Sequence, residues 1–511
     1  MTSRARAILP LLPLLLGGCA ATRSTAGPSP AQATRGANAA LTGMIDSMVN
    51  TAEFRNANWG VLIVDPLAHD TLYSHNAPKL FMPASNEKIV TSSVSLEQLG
   101  PEFRFRTVLA ARGAVADGTL NGDLAVIGRG DPTASNHMLG DAMIPLRGIA
   151  DSLWQRGVRH ITGSVVAAGD AFPGAVAGFG WPWDQLDANS FAGADELLFN
   201  EGLTNVIVRA GAQPGAVATA ETRPARTFPA LRVNVVTVAR DSAAGAGRGG
   251  RGGGRGAGGT GTRVSAHNDT STSAVIVRGQ IAVGDSVTLT VSQHDPDAAY
   301  VAALTEALHD RGIAVDGRSF ASAEAAQRTD SLFTIVSVPL REILPALMKP
   351  SQNQIAEVLL RTLGLERAGV GTADSGRRVV ERQFAAWNIP ADGYVIRDGS
   401  GLSRNDYLSP EAIVSILDVM RRSPNFDLFF QSLPIAGVDG TIRTRFKGTP
   451  AEGNLHAKTG TLSNARSLSG YVRTADGRLL EFSILCNNWT APQASVDRVA
   501  DAIGVALAGL R

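Results

Sequence analysis

Strand-forming runs sit near both extremes of this 511-residue chain, and that placement constrains its architecture more than any other feature. Near the start, Trp59-Gly60-Val61-Leu62-Ile63-Val64 ends at Asp65-Pro66, and a return through Leu72 and Tyr73 makes a hairpin. Near the end, Arg466 to Val472 and Leu479 to Cys486 read as two strands joined by a turn at Asp476-Gly477. Helical stripes lie beside both: Leu41, Met44, Ile45 and Met48 within Ala39 to Phe54, and Val496, Val499, Ile503, Leu507 and Leu510 after an N-cap at Ser495. Strands at both ends with helices beside them point to one sheet assembled from distant segments. The middle is then an insertion.

At this length two or three folded units, or one interrupted unit, are expected. Residues 100 to 325 carry short apolar runs separated by turn signals: Leu124 to Ile127, Ile161 to Val166, Val206 to Val208, Leu231 to Val238, Val275 to Val277 and Val287 to Val291. This region reads as mostly β. The stretch 243–261 is almost entirely Gly, Ala and Arg and has no residue able to join a core, so a disordered loop is expected there. Basic and acidic side chains nearly cancel, 47 against 46, which leaves no long-range field to attract a polyanion. Nucleic acid is not expected as a partner on that ground.

Arg4 and Arg6, an apolar run from Ala7 to Leu16, and Gly17-Gly18-Cys19 read as an export signal over residues 1–19. Leu16-Gly17-Gly18-Cys19 resembles the bacterial lipobox, which implies acylation of Cys19 and a lipid anchor in a membrane; a plain secretory signal is the alternative. Residues 20–36, rich in Ala, Thr, Ser, Pro and Gly, read as a flexible tether. The other cysteine, Cys486, has no partner and falls in an expected strand, so a buried inert thiol is its reading.

Lysine occurs only at positions 79, 88, 349, 447 and 458; all other cationic side chains are arginine. Burial can lower the pKa of a lysine until it acts as a base, which an arginine cannot do. Two of the five lysines fall in short motifs. Ser85-Asn86-Glu87-Lys88 precedes an apolar, helical stretch through Leu96 and Leu99, and helical spacing brings the Lys88 amine to the Ser85 hydroxyl. Ser351-Gln352-Asn353 precedes a helix carrying Ile355, Leu359, Leu360 and Leu363. Lys458-Thr459-Gly460-Thr461 stands just before the final strand pair, where a lysine and backbone amides suit a carboxylate and an oxyanion. Each motif alone is explained by caps and turns. Their order together is not.

Ser-x-x-Lys, Ser-x-Asn and Lys-Thr-Gly, in that order, form the signature set of penicillin-binding proteins and serine β-lactamases. With residues 89 to 350 between the first two motifs, the chain resembles the penicillin-binding protein 4 type of D-Ala-D-Ala carboxypeptidase and endopeptidase. The phrases Gly130-Asp131-Pro132-Thr133, Gly180-Trp181-Pro182-Trp183-Asp184, Asp398-Gly399-Ser400-Gly401-Leu402-Ser403-Arg404 and Ala436-Gly437-Val438-Asp439-Gly440-Thr441 strengthen the likeness.

The resemblance implies an α+β fold: a β-lactamase/transpeptidase-like domain, an antiparallel sheet flanked by helices, interrupted by two mainly-β inserted domains. The expected division is 37–100 with 325–511 for the catalytic domain, 101–197 with 295–324 for one insertion, and 198–294 for the other. It also implies Ser85 as nucleophile, Lys88 as its base, Ser351 as proton carrier to the leaving amine, and Asn353 as partner of the substrate amide. Lys458 and Thr459 hold the terminal carboxylate, and the amides of Ser85 and Thr461, beside Gly460, form the oxyanion hole. Arg404 and Asp184 are the implied contacts to the diamino acid side chain, with Asp187 competing for the second role. Peptidoglycan stem peptides are the implied substrate, β-lactams the inhibitors, and no cofactor is implied.

None of the eight histidines lies in a His-Glu-x-x-His arrangement and cysteine ligands are absent, which disfavours a zinc peptidase. The Gly-x-Ser-x-Gly elbow of an α/β-hydrolase is also absent. Two alternatives stay open: a β-lactamase or esterase on the same acylating core, and a non-catalytic lipoprotein that binds peptidoglycan. The oligomeric state has no signal in the sequence.

Overall fold

The computed structural model describes residues 30–182, 187–188, 191, 193–240, 261–269, 272 and 274–511. The two chain ends meet in one antiparallel sheet of five strands, ordered His456–Leu462, Ala465–Arg473, Leu479–Asn487, Asn58–Asp65 and Asp70–His75. Trp59 lies opposite Cys486 and Ile63 opposite Phe482, so the first strand is zipped along its length to the last. Successive residues serve opposite faces. Tyr471 and Leu485 join one core, while Val472, Ile484 and Cys486 join the other. Because both faces are covered, the stretch from Trp59 to Val64 reads as a continuous apolar run rather than an alternating one.

One face packs on the helices Pro30–Val49 and Gln493–Gly509, through Ile45, Val499, Ile503 and Leu507. The first of these begins inside the segment expected to be tether, with Pro30 at its opening turn, where a missing N–H costs nothing. The other face carries the helical half of the domain, with a core of its own: Glu87–Leu99, Leu340–Met348, Asn353–Ala368, Ala373–Ala386 and Pro410–Arg422. Glu87–Leu99 runs through its middle and is buried from Glu87 to Leu96. Local signals set the ends of its neighbours. Gln352, Thr372 and Ser409 each accept the amide three residues on, and Gly369 takes the left-handed conformation that closes Asn353–Ala368.

Between the ends lie two further β assemblies. The larger has seven strands, with Thr119–Ile127 and Arg106–Ala116 central, and carries the helices Met143–Gln155 and Pro296–Arg311. Those helices interrupt the mostly-β reading, although Leu146, Ile149, Ala150 and Leu153 do have helical spacing. Its edge strand Asp330–Val336 pairs with Arg106–Ala116. That strand was expected on the catalytic side of a boundary at 325, but its backbone hydrogen bonds go to the insertion. The smaller assembly is two three-stranded sheets: Ser286–Ser292, Leu203–Arg209 and Thr219–Arg223 in one, Arg263–Asn268, Ala274–Ala282 and Ala230–Val238 in the other. Val206, Val208, Val235, Val277 and Leu289 fill the space between them. Apart from Gly261, the Gly/Arg-rich stretch 243–261 lies outside the described residues, as do Cys19 and Asp184.

The larger insertion reaches the helical half directly. Gln354 donates to the carbonyl of Gly193 at 2.5 Å, Arg361 to that of Ala175 at 2.6 Å, and the Trp181 indole to Asp398 at 2.8 Å. These contacts tie the insertion to the helix that carries Asn353 and to the loop beneath Ser85.

Candidate active site

Ser85 sits in a tight turn, Ala84–Asn86, that feeds the buried helix Glu87–Leu99. Ala84 has a φ of 49°, a conformation an L-residue adopts at a cost, so the turn must be held from outside. It is. Ser467 donates to the Pro83 carbonyl at 2.7 Å, and Asn86 donates to Ser469 at 2.6 Å, both on the strand Ala465–Arg473. Gly460, on the neighbouring strand, backs directly on this turn. A Cβ there would collide with the Pro83 carbonyl and the Ser467 hydroxyl, so only glycine lets the strand approach the nucleophile turn.

The motif residues converge. Lys88 Nζ lies 2.9 Å from Ser85 Oγ, 2.7 Å from Asn353 Oδ1 and 2.7 Å from the Ser400 carbonyl. Lys458 Nζ lies 2.7 Å from Ser351 Oγ and 2.9 Å from the Thr459 carbonyl. Ser351 has a φ of 65°, which turns its hydroxyl toward Lys458 immediately before the helix Asn353–Ala368 begins. Above these groups opens a cleft of about 470 Å³, lined by Ser85, Ser351, Asn353, Thr459, Thr461 and Gln493 among others. Thr461 accepts from Arg466, and the Thr459 hydroxyl lies 2.6 Å from that of Thr441.

Arg404 stands apart from the lysines. It is half-buried at the edge and donates to the carbonyl of Ser463, itself a lining residue, at 3.1 Å. Asp187, the alternative to Asp184, accepts from the Asn268 amide at 2.8 Å and lies 3.1 Å from His267, so it is engaged within the smaller insertion.

Both lysines are fully buried, and burial disfavours the ammonium form. It brings Lys88 down to about 8, even though nearby carboxylates pull the other way. Burial, together with the charge of Lys88, also holds Lys458 well below the ordinary lysine range. A carboxylate entering beside Lys458 would supply the counter-charge that its surroundings lack.

Sequence reasoning missed the floor of the site. Glu87, Glu357, Asp398 and Asp406 are all buried beneath Lys88. Glu357 accepts from the amides of Gly399 and Ser400 at 3.1 and 2.9 Å. Asp398 accepts from Ser400, Gly401 and Ser403 at 3.1, 2.6 and 2.7 Å. Together they fix the loop so that the Ser400 carbonyl faces Lys88. Burial and mutual repulsion push Glu87 and Asp406 well above the carboxylate range and Glu357 up to about 7, so the cluster retains protons and does not confront Lys88 with four negative charges. Arg361, behind the cluster, balances Glu357 on one side and Asp195 and Glu196 on the other. The acid-glycine run Asp398-Gly399 was visible in the sequence; the burial of Glu87 and Glu357 was not.

A chain with this arrangement matches the D-Ala-D-Ala carboxypeptidase 3 (S13) family across residues 41–508. It belongs to that family. A D-alanyl-D-alanine carboxypeptidase of Actinomadura sp. (strain R39) is 32% identical over 98% of this chain and 89% of its own length. The crystal structure of penicillin binding protein 4 from Haemophilus influenzae superposes with a TM-score of 0.75 at 22% identity, covering 91% of this chain and 99% of that one. The same protein complexed with a β-lactam gives 0.69 at 22% identity, over 90% and 98% of the two chains. The S13 fold is therefore shared over nearly the whole length, insertions included, and the chain is a D-Ala-D-Ala carboxypeptidase by family.

Proposed function

We propose that this S13 chain hydrolyses the D-Ala-D-Ala end of peptidoglycan stem peptides through an acyl-enzyme on Ser85, and that penicillin acylates the same hydroxyl. The observation that carries this reading is the Lys88 amine, fully buried and 2.9 Å from Ser85 Oγ. A serine hydroxyl is a weak nucleophile until an adjacent base takes its proton, and an amine held near neutrality by burial can do so. Lys88 takes the Oγ proton as Oγ attacks the carbonyl of the penultimate D-Ala. The amides of Ser85 and Thr461 receive the oxyanion. Ser351, bonded to Lys458, relays a proton to the departing amine; Asn353 holds the substrate amide; Lys458 and Thr459 hold the terminal carboxylate. Water then cleaves the ester and restores Ser85. Arg404 contacts the polar end of the diamino acid side chain, and Asp184 is the insertion's contribution to that pocket.

The test is to incubate the purified chain with a labelled penicillin and with a stem peptide ending in D-Ala-D-Ala, following intact mass and free D-Ala. One stable adduct and stoichiometric D-Ala release are expected. A chain that neither acylates nor releases D-Ala would not be this enzyme. Rapid clearance of the adduct would mark a β-lactamase instead. The β-lactam complex of the structural relative supports the reading that this cleft takes a β-lactam.

We also propose three units, and the pairing of Asp330–Val336 with Arg106–Ala116 supports counting that edge strand with the larger insertion. Export and lipid anchoring through Cys19 follow from the lipobox-like run, and none of the described helices is long and apolar enough to cross a membrane. Cys19→Ser is expected to move the protein from the membrane to the soluble fraction of lysed cells; retention in the membrane would show that this cysteine is not the anchor.

A further inference from the structure

The helix Asn353–Ala368 meets the base twice. Asn353 accepts from Lys88 directly at 2.7 Å, while Glu357, one turn along the same face, acts through the loop between them. Glu357 Oε1 accepts the amides of Gly399 and Ser400 at 3.1 and 2.9 Å. The stretch held in this way presents its carbonyls to the helix of the base: Gly399 accepts from Thr91 at 2.6 Å and Ser400 from Lys88 at 2.7 Å. Glycine makes the close stacking possible. A Cβ on Gly399 would strike the Ala356 carbonyl of the helix, and one on Gly401, whose φ is 78°, would strike the Ala84 carbonyl of the nucleophile turn. The loop is therefore a spacer of fixed thickness between Glu357 and the Ser85–Lys88 pair.

A further turn along, Arg361 completes a row at i, i+4 and i+8. It is buried, donates to the Ala175 carbonyl of the larger insertion at 2.6 Å, and faces Glu357 on one side and Asp195 and Glu196 on the other. Carboxylate oxygens of Asp195, Glu196 and Asp297 lie within 4.8 Å of one another, so Arg361 is a cation that this crowded group shares with Glu357. Charge on Glu357 matters to the base because both are buried and little solvent intervenes to screen them. An ionised Glu357 stabilises the Lys88 ammonium, and Arg361 in turn favours the ionised Glu357.

We infer that Glu357 is a positioning residue for the Lys88 base and that Arg361 sets its charge, so that the row Asn353, Glu357 and Arg361 carries the state of the larger insertion to the nucleophile. The inference rests on the reading of Lys88 as the base. Glu87, Asp398 and Asp406 also face Lys88, from its own helix and from the loop, and Lys458 faces it across the cleft. Glu357 differs from them in facing a cation fixed to the insertion. The sign is set by charge. Without the negative charge of Glu357 the Lys88 ammonium gives up its proton more easily, so the acid limb of acylation moves to lower pH.

The experiment measures penicillin acylation of the full chain and its variants from pH 6 to 9. Glu357→Gln keeps an oxygen for both amides but loses the charge; its midpoint is expected about half a pH unit or more below that of the wild type, with a plateau lowered by less than about tenfold. Arg361→Met should move the midpoint in the same direction, Arg361→Lys should leave it in place, and Arg361→Met added to Glu357→Gln should produce no further shift. If both residues serve the fold alone, plateaus fall and every midpoint stays at the wild-type pH, which overturns the inference while sparing the base. A further shift in the double variant would overturn the part given to Arg361. A flat wild-type profile would overturn the base and the inference together. Should Glu357→Gln fail to fold, the comparison of Arg361→Met with Arg361→Lys decides the same question.

Discussion

Ser85→Ala is expected to form no covalent adduct with penicillin and to lose turnover of a D-Ala-D-Ala peptide by on the order of 10⁶-fold, while folding normally. The variant matters because the site contains two serine–lysine pairs of nearly equal geometry. Ser85 lies 2.9 Å from Lys88, and Ser351 lies 2.7 Å from Lys458. Distance alone does not choose between them. The surroundings do: Lys88 is oriented by two further acceptors, Asn353 and the Ser400 carbonyl, while Ser85 stands at the start of a buried helix, where backbone amides and the helix dipole favour developing negative charge. Removing the Ser85 hydroxyl leaves Lys88 with both of those acceptors, so the fold should lose no more than about 1–2 kcal/mol. Peptide mapping of the wild-type adduct supplies the control. A label on Ser351, or an adduct that persists in Ser85→Ala, would reverse the roles of the two pairs. Ser351→Ala should still acylate, more slowly.

The residues of these pairs were legible because each sits in a contiguous motif whose spacing matches a local element. Ser85 and Lys88 share one helical turn, and Lys458 to Thr461 lie along one strand. The sheet was legible for a similar reason: Trp59 to Val64 and Leu479 to Cys486 are apolar runs bounded by turn residues, and the stripe Val496, Val499, Ile503 and Leu507 does face the core. The carboxylates below Lys88 were not. Glu87 follows a polar pair and Glu357 occupies one position in a helix with a clear apolar stripe, so local pattern assigns both to solvent. Their burial depends on contacts made hundreds of residues apart, such as the approach of the 398–403 loop to the helix starting at Glu87. The strand Asp330–Val336 escaped for a related reason. Its side chains are mostly exposed or half-buried, and only backbone pairing with Arg106–Ala116 reveals which unit it serves. Thr441 was noted only as part of a phrase; its contact with the Thr459 hydroxyl is a matter of three-dimensional adjacency.

Lys88→Arg and Lys88→Met are each expected to slow penicillin acylation by at least about 10³-fold. The reason is protonation rather than reach. Arginine keeps a positive charge beside Ser85 but cannot give up its proton at any pH the protein survives, and methionine fills similar space without a base. The methionine variant guards against misfolding. It removes the hydrogen bonds that Lys88 gives to Asn353 Oδ1 and the Ser400 carbonyl, at a cost of about 1–3 kcal/mol, but introduces no guanidinium. The same argument fixes the pH dependence of the wild type. Lys88 faces Glu87, Glu357, Asp398 and Asp406 below and Lys458 across the cleft; burial outweighs the carboxylates and places its pKa at about 8. The amine is active when neutral, so acylation should rise with pH, level off above about 8, and fall roughly tenfold for each unit below it. Measured acylation rates between pH 6 and 9 check the limb directly. A flat profile, or Lys88→Met acylating at the wild-type rate, would mean that the proton leaves Ser85 by another path. In that case Lys88 would be a structural cation, bound to Asn353 and the Ser400 carbonyl and balancing the acids beneath it, and the base would have to be sought at Lys458.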